Sequence, residues 1–250
     1  MDRIVRAWVD GWVVSRGAAP PVVREWGYTI DVGQEGHVTR HVIGETNDRV
    51  EAAAVRKVAD AVTAPGVWLK VFAEPSAVRP LLGEGWWTDP EPGYLMSAPL
   101  AAAEDTGPDG PLPPGYRLRA WSRAGVTRVL VTASDGSWAA RGQIATTGAT
   151  AVVDQVETSP GHRRRGLGRT VMRTLARAAA EQGAETAVLA GTPEGRALYA
   201  SLGWRVEAPL LSARYTGADH PQGPGNGGAV PRRERFRWAE TPGGGEGLGR

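Results

Sequence analysis

The chain has 250 residues, 41% of them hydrophobic and 22% charged, and its formal net charge of +2 gives no reason to expect a nucleic-acid partner. The absence of cysteine excludes disulfides and cysteine-bound metals, and the four histidines, His37, His41, His162 and His220, lack metal-ligand spacing, so we expect no metal. Neither a signal-like N-terminus nor a long apolar run occurs, so we expect a cytoplasmic protein outside the membrane.

Composition divides the chain into four segments. Residues 1–98 alternate strand-like and helix-like stretches and carry most of the tryptophans. Residues 99–115 are rich in proline, glycine, alanine and acidic residues, which predicts a linker between domains. Residues 116–215 form a second folded segment, and residues 216–250 are a Gly/Pro-rich tail that we expect to be disordered. The basic and aromatic stretch Arg232–Trp238 within that tail is more typical of a solvated patch than of an RNA or membrane site.

In the first segment the pattern predicts a helix over Asn47–Thr63, with Asn47 as its N-cap, and then a strand from Val67. In the second segment it predicts strands and helices in alternation, which indicates an α/β fold with a mixed sheet. These elements are strands Tyr116–Ala120, Val126–Thr132, Ser137–Thr146 and Thr150–Glu157, helix Leu167–Gln182, strand Ala187–Ala190, helix Pro193–Leu202, and strands Trp204–Val206 and Leu210–Tyr215.

The turn between Thr150–Glu157 and the following helix carries the strongest motif. Arg163, Gly166 and Gly168 stand in the pattern R-x-x-G-x-G. Glycines allow a ligand to approach the backbone closely, and the unpaired N–H groups and dipole of a helix start favour an anion such as pyrophosphate. The glycine pattern of dinucleotide folds and the lysine of the P-loop are both missing.

With this loop, the segment resembles the GNAT superfamily of acetyl-CoA-dependent N-acetyltransferases. A second motif, Ala197–Trp204, is similar to the family's A-x-x-L-Y-x-x-L-G-F element, shortened by one residue. The resemblance covers residues 116–215 and implies that this segment carries the acetyl-CoA site. It also implies acetyl transfer to a primary amine, with acetyl-CoA as cosubstrate.

The resemblance assigns roles to individual residues. Tyr199 matches the tyrosine acid that protonates the leaving thiolate, which suits a phenol because its reference pKa of about 10 is near that of a thiol. The backbone of Val156, Glu157 and Thr158 corresponds to the part that binds pantetheine like an added strand. The pyrophosphate would bind the following run: Arg163, Arg164, Arg165, Gly166, Leu167, Gly168, Arg169 and Thr170.

The general base is less clearly marked. Asp154 and Glu157 are the only carboxylates on their strand, and their odd separation predicts that they point to opposite faces. Glu157 is the preferred candidate because it lies nearer the thioester end. A relay of water molecules is an alternative.

The segment also departs from the family pattern. Only five residues separate Ala120 from Val126, which leaves no room for the two helices that help to form the family's acceptor pocket. The first segment offers an explanation, since Pro75 to Gly85-Trp86 repeats the spacing of Pro193 to Gly203-Trp204.

The first segment therefore looks like a degenerate GNAT-like half, in which Arg6-Ala7-Trp8 echoes Arg119-Ala120-Trp121. In this half, the stretch Glu45–Val50 corresponds to the loop Arg163–Gly168 of the second segment. It lacks paired glycines and is acidic, so we expect it not to bind CoA. Packed on the second half, it could supply the missing acceptor wall through Trp26, Trp86 or Trp87.

The sequence thus predicts tandem GNAT-like domains whose C-terminal member is an N-acetyltransferase for the primary amine of a small molecule. A homodimer is possible. The alternative function is a non-catalytic acyl-CoA sensor, with the degenerate half serving regulation.

Overall fold

The structure is a computed structural model that describes residues 1–100 and 112–217. Most of the predicted linker (99–115) and almost all of the predicted tail (216–250), including Arg232–Trp238, lie outside the described residues. Within the described parts of the chain, no helix has the length and apolar character needed to cross a membrane.

The described residues contain five α-helices and twelve strands. The helices are α1 Arg3–Arg16, α2 Ala52–Asp60, α3 Pro75–Val78, α4 Leu167–Glu181 and α5 Pro193–Ala200. The strands are β1 Val22–Arg24, β2 Gly27–Gln34, β3 His37–Thr46, β4 Val67–Phe72, β5 Trp86–Thr88, β6 Gly93–Pro99, β7 Tyr116–Arg123, β8 Val126–Ala133, β9 Trp138–Thr147, β10 Thr150–Thr158, β11 Thr186–Gly191 and β12 Arg205–Tyr215.

All of these strands join one mixed sheet, in the order β1-β2-β3-β4-β12-β6-β11-β10-β9-β8-β7, and β5 pairs with β12. Two pairs of neighbours are parallel: β3 with β4, and β10 with β11. Each of these pairs is joined by a helical crossover, α2 in the first half and α4 in the second. The predicted α/β fold with a mixed sheet is therefore confirmed.

The two halves exchange their last strands. β6, which ends the first half, lies between β11 and β12 and pairs with both. The C-terminal part of β12 in turn pairs with β4 and β5 of the first half. Because each half of the sheet contains a strand from the other, the two halves share their backbone hydrogen bonds.

Helix α1 covers one face of the sheet, where Val5, Trp8 and Trp12 pack in a core that includes Val152 and Val188. At Gly11 a Cβ atom would overlap the side chain of Val152, so this glycine allows the helix to approach β10 closely. On the opposite face, α4 packs against the strands of the second half and α2 against those of the first. Helix α1, from the first half, thus lies on strands of the second.

Three local predictions for the first half are wrong. The expected helix over Asn47–Thr63 is only α2, preceded by a 3-10 turn at Asn47–Arg49. Asn47 is not an N-cap: its φ is +54°, and its side-chain amide donates to the carbonyl of Glu207. Arg6–Trp8 lies in a helix whereas Arg119–Trp121 lies in a strand, so that echo has no structural counterpart.

Candidate functional site

The parallel strands β10 and β11 separate in the middle of the sheet. Their paired residues are Thr150–Val152 and Thr186–Val188, at the beginning of each strand. Beyond these pairs β10 continues to Thr158 and β11 to Gly191, so a gap opens between their C-terminal ends. The parallel strands of the first half, β3 and β4, do not separate in this way. After a register shift they pair again at Thr46 and Phe72, near their C-terminal ends.

A β-bulge interrupts β10 beside this gap. Asp154 pairs with Gln143 and Glu157 pairs with Arg141, so one extra residue is inserted on β10, where Gln155 has a φ of +54°. The prediction that Asp154 and Glu157 point to opposite faces is therefore wrong. Gln143 and Arg141 are two residues apart on a regular strand and share a face, and the bulge brings both carboxylates to that same face.

The loop that contains Arg163, Gly166 and Gly168, which we call the phosphate-type loop, lies at the end of β10. A 3-10 turn over Pro160–His162 leads into Arg164 and Gly166, whose φ values are +63° and +77°. Helix α4 begins directly afterwards, and its first intrahelical bond runs from the N–H of Thr170 to the carbonyl of Gly166. The N–H groups of Leu167, Gly168 and Arg169 therefore have no partner within the helix, as at any helix start.

Arginine side chains surround this helix start. Arg163 and Arg164 are exposed. Arg165 donates from Nη1 to the Tyr116 hydroxyl at 3.0 Å, and Arg169 donates from Nη2 to Ser201 Oγ at 3.1 Å. Positive charge and unpaired N–H groups therefore meet at one place, a combination that suits a phosphate anion.

The other predicted cofactor residues line the same region. Val156 packs against the core under α4, and the hydroxyl of Thr170 donates to the Gly166 carbonyl at 3.4 Å. A Cβ atom on Gly168 would lie 3.0 Å from Leu198 Cδ2 and 3.6 Å from Thr158 Oγ1. The glycine thus keeps the helix start close to both the end of β10 and α5.

Tyr199 lies on α5 at the end of β11, with 8% of its surface exposed. Two glycines make room for its ring, because a Cβ atom would lie 2.8 Å from the ring at Gly191 and 2.7 Å from it at Gly195. Trp204 packs beside the ring at a centroid distance of 6.1 Å. These contacts hold the tyrosine at the C-terminal end of the separated strand.

The two carboxylates of β10 have different surroundings. Glu157 is half-exposed, at 38%, and accepts a hydrogen bond from Arg141 Nη2 at 2.9 Å. Asp154 is 13% exposed and accepts from four groups: Nε and Nη2 of Arg16, the Ser15 hydroxyl, and the backbone N–H of Gln155. Asp154 is therefore committed to structure, whereas Glu157 keeps access to solvent.

Sequence reasoning missed the contribution of α1 to this site. Gln143 donates to the backbone carbonyl of Ser15 at 2.7 Å, and Arg16 reaches Asp154 from the last turn of the helix. Trp26 and Trp86, considered for the acceptor wall, pack instead in the core beneath α2. No local pattern links α1 to β10, so only the assembled sheet reveals the contact.

Within residues 1–100 and 112–217, no group of three or more histidine, aspartate or glutamate side chains is arranged to hold a metal ion.

One protein family matches a part of the chain. Residues 87–204 match the model of the acetyltransferase (GNAT) family. Residues 87–204 therefore carry a GNAT-family acetyltransferase domain. The match begins before β6 and ends at Trp204, so it includes the strand that the first half inserts between β11 and β12.

Solved structures support the fold. A GCN5-related N-acetyltransferase from Kribbella flavida is 20% identical, with a TM-score of 0.59 over 86% of this chain and 95% of that one. A GCN5-related N-acetyltransferase from Sphaerobacter thermophilus is 13% identical, with a TM-score of 0.52 over 75% of each chain. A GCN5-related N-acetyltransferase-like protein from Streptococcus suis is 12% identical, with a TM-score of 0.52 over 86% of this chain and 93% of that one. A search of curated proteins found no match.

Proposed function

We propose that this protein transfers the acetyl group of acetyl-CoA to the primary amine of a small molecule. One observation carries the proposal. The gap between β10 and β11 has the phosphate-type loop and the start of α4 beside β10. On its other side, the buried Tyr199 lies beside β11. Membership of the GNAT family supports acyl transfer from acetyl-CoA.

The residues of the loop suit the pyrophosphate of the donor. The N–H groups at the start of α4 and the guanidinium groups of Arg163, Arg164 and Arg165 would bind its oxygens. Pantetheine would run along Val156, Glu157 and Thr158, whose backbone borders the gap and can bind an extended amide chain. Arg169 and Thr170, in the first turn of α4, would complete the pyrophosphate site.

The chemistry assigns one proton transfer to each side of the gap. The amine nitrogen forms a bond to the acetyl carbon, the carbon–sulfur bond breaks, and the electron pair leaves with sulfur. Tyr199 would donate its phenolic proton to that sulfur. Glu157 would accept the proton that the amine loses, directly or through a water molecule.

Glu157 suits the base better than Asp154 does. The oxygens of Asp154 already accept hydrogen bonds from Arg16, Ser15 and Gln155. Glu157 has Arg141 as a side-chain partner and remains half-exposed on the same face of the sheet. A proton can therefore leave Glu157 to solvent without breaking a buried network.

The first half would act as the acceptor wall and not as a second donor site. Helix α1 covers the sheet face on which both carboxylates lie, and the five residues between Ala120 and Val126 leave no room for helices there. At the counterpart of the phosphate loop, Arg49 is engaged by Asp2 and Glu45, and Asp48 adds further negative charge. We infer a degenerate half that does not bind CoA.

A turnover assay with a panel of primary amines tests the proposal. We expect acetyl-CoA to bind, and thiol release to depend on at least one amine that gains an acetyl group. Binding of acetyl-CoA with no thiol release from any amine would instead support an acyl-CoA sensor.

A further inference from the structure

The face of β7, β8 and β9 on the α1 side of the sheet is unusually basic. These strands contain five arginines and no aspartate or glutamate. The register places all five on this one face, beyond the end of α1: Arg117, Arg119, Arg123, Arg128 and Arg141. We call this surface the arginine face.

The arginine face continues directly from Glu157. Pairing runs across the sheet from Glu157 to Arg141, then to Leu130 on β8, and then to Arg119 on β7. Neighbouring strands are about 4.8 Å apart, so Arg128, also on β8, lies about 10 Å across the sheet from β10. Arg119, on β7, lies about 14 Å across the sheet from β10. A molecule whose amine meets Glu157 and whose acidic group lies within that distance can therefore contact these arginines with its other end.

Little negative charge offsets these arginines. Among the residues that the structure describes, Arg117, Arg119 and Arg123 form no ion pair. Burial lowers the pKa of Arg128, and repulsion from Arg123 adds to the lowering, although an arginine stays protonated near neutral pH. Glu157, the carboxylate at the border of the face, is bound to Arg141. The face therefore carries a surplus of positive charge, and Arg117, Arg119 and Arg123 are exposed.

Aromatic surface accompanies the charge. Trp121 and Trp138 are 39% and 38% exposed, and the guanidinium of Arg141 lies 5.3 Å from the Trp138 ring centroid. Arginine and tryptophan together favour an organic anion over a simple ion, because the rings bind apolar parts while guanidinium groups bind acidic oxygens.

We propose that the acceptor is an amine that also carries an acidic group, a carboxylate or a phosphate, within about 14 Å of its nitrogen. Glu157 would receive the amine, and Arg119, Arg128 and Arg141 would receive the anion. This inference rests on the proposed acetyl transfer and names the class of its acceptor.

Matched acceptors test it. The panel pairs 4-aminobutyrate with 4-aminobutyramide and 1,4-diaminobutane, and pairs O-phosphoethanolamine with ethanolamine. We expect kcat/KM for at least one of the two acidic amines to exceed that of its partner without an acidic group at least tenfold. If 4-aminobutyrate is preferred, the site binds a carboxylate; if O-phosphoethanolamine is preferred, it binds a phosphate. Equal use of acidic and neutral amines would overturn the inference and leave the transferase activity standing. No acetylation of any amine, while acetyl-CoA binds, would refute the transferase activity itself.

Variants of the arginine face give a second readout. Arg119→Gln/Arg128→Gln should raise KM for the acidic amine at least tenfold, the loss expected when one charged hydrogen bond of about 1.5 kcal/mol is removed, and should change kcat less than twofold. Arg173→Gln removes one positive charge from an exposed position on α4, on the opposite face of the sheet, and should change neither constant. Equal losses for acidic and neutral amines would contradict an anion site, and a thermal melt of each variant checks its folding.

Discussion

Arg16, the last residue of α1, forms a two-point ion pair with Asp154 in the bulged part of β10. The two residues are 138 positions apart in sequence, and their side chains are 12% and 13% exposed. Ser15 and Gln143 join the same network. The pair therefore ties the first half of the chain to the strand that carries the proposed base.

Asp154→Asn should destabilise the protein. The substitution leaves the Arg16 guanidinium largely buried beside a neutral amide, and breaking such a pair costs about 3 kcal/mol. Asp10→Asn removes a carboxylate from the exposed Arg6–Asp10 pair on the same helix and should cost less than about 0.5 kcal/mol. Urea unfolding measures both; similar losses for the two variants would contradict a structural role for the buried pair.

Gly195→Ala should disturb Tyr199. The new methyl group would lie 2.7 Å from the tyrosine ring, so the ring must shift, at a cost of about 1–3 kcal/mol and with a lower kcat. Gly83→Ala is the control, because its Cβ atom meets open space. Thermal melts and turnover distinguish the two variants, and an unchanged kcat in Gly195→Ala would argue against Tyr199 as the acid.

The two ends of α4 offer a test of the phosphate-type loop. Gly166 and Gly183 have φ values of +77° and +87°, with open space around both Cβ positions. Alanine at either position should cost about 1 kcal/mol of stability through backbone strain. Of the two variants, only Gly166→Ala should weaken acetyl-CoA binding, which calorimetry measures. Equal affinity in both variants would indicate that the donor binds elsewhere.

His41 should make stability depend on pH. Burial lowers its pKa below the ordinary value of 6.5, and the charge of Arg24 lowers it further. As the pH falls below about 6.5, the unfolded chain takes up a proton at this histidine before the folded protein does, so stability is lost. The loss of unfolding free energy between pH 7.5 and pH 5.5 should be smaller in His41→Gln. An unchanged pH dependence would count against this account.

The second half of the fold was predictable because its signals are local. The apolar periodicity of α4, the glycine after it and the proline at the start of α5 each depend on neighbouring residues, and the structure has helices where these signals predict them. The first half was less legible: Asn47–Thr63 has helical composition, but Asn47 adopts a positive φ and bonds to Glu207 on β12.

The sequence marks candidate site residues where one stretch of chain carries them. The loop over Arg163–Gly168 and Tyr199 belong to continuous motifs, whereas Arg16, Arg141 and Asp154 meet only through the sheet. The relative directions of Asp154 and Glu157 were beyond sequence reasoning, since a bulge adds one residue and reverses the alternation that a regular strand would have.

The most direct test of the proposed activity is amine-dependent thiol release from acetyl-CoA by the wild-type protein and by Tyr199→Phe. Removal of the phenolic proton should slow the reaction about 100-fold while acetyl-CoA binds as before, because the hydroxyl acts on the leaving sulfur and not on the bound donor. Amine-dependent release by the wild type, slowed in the variant, is the result we predict. Release that is equal in the two proteins, or absent from the wild type with every amine, would contradict the account.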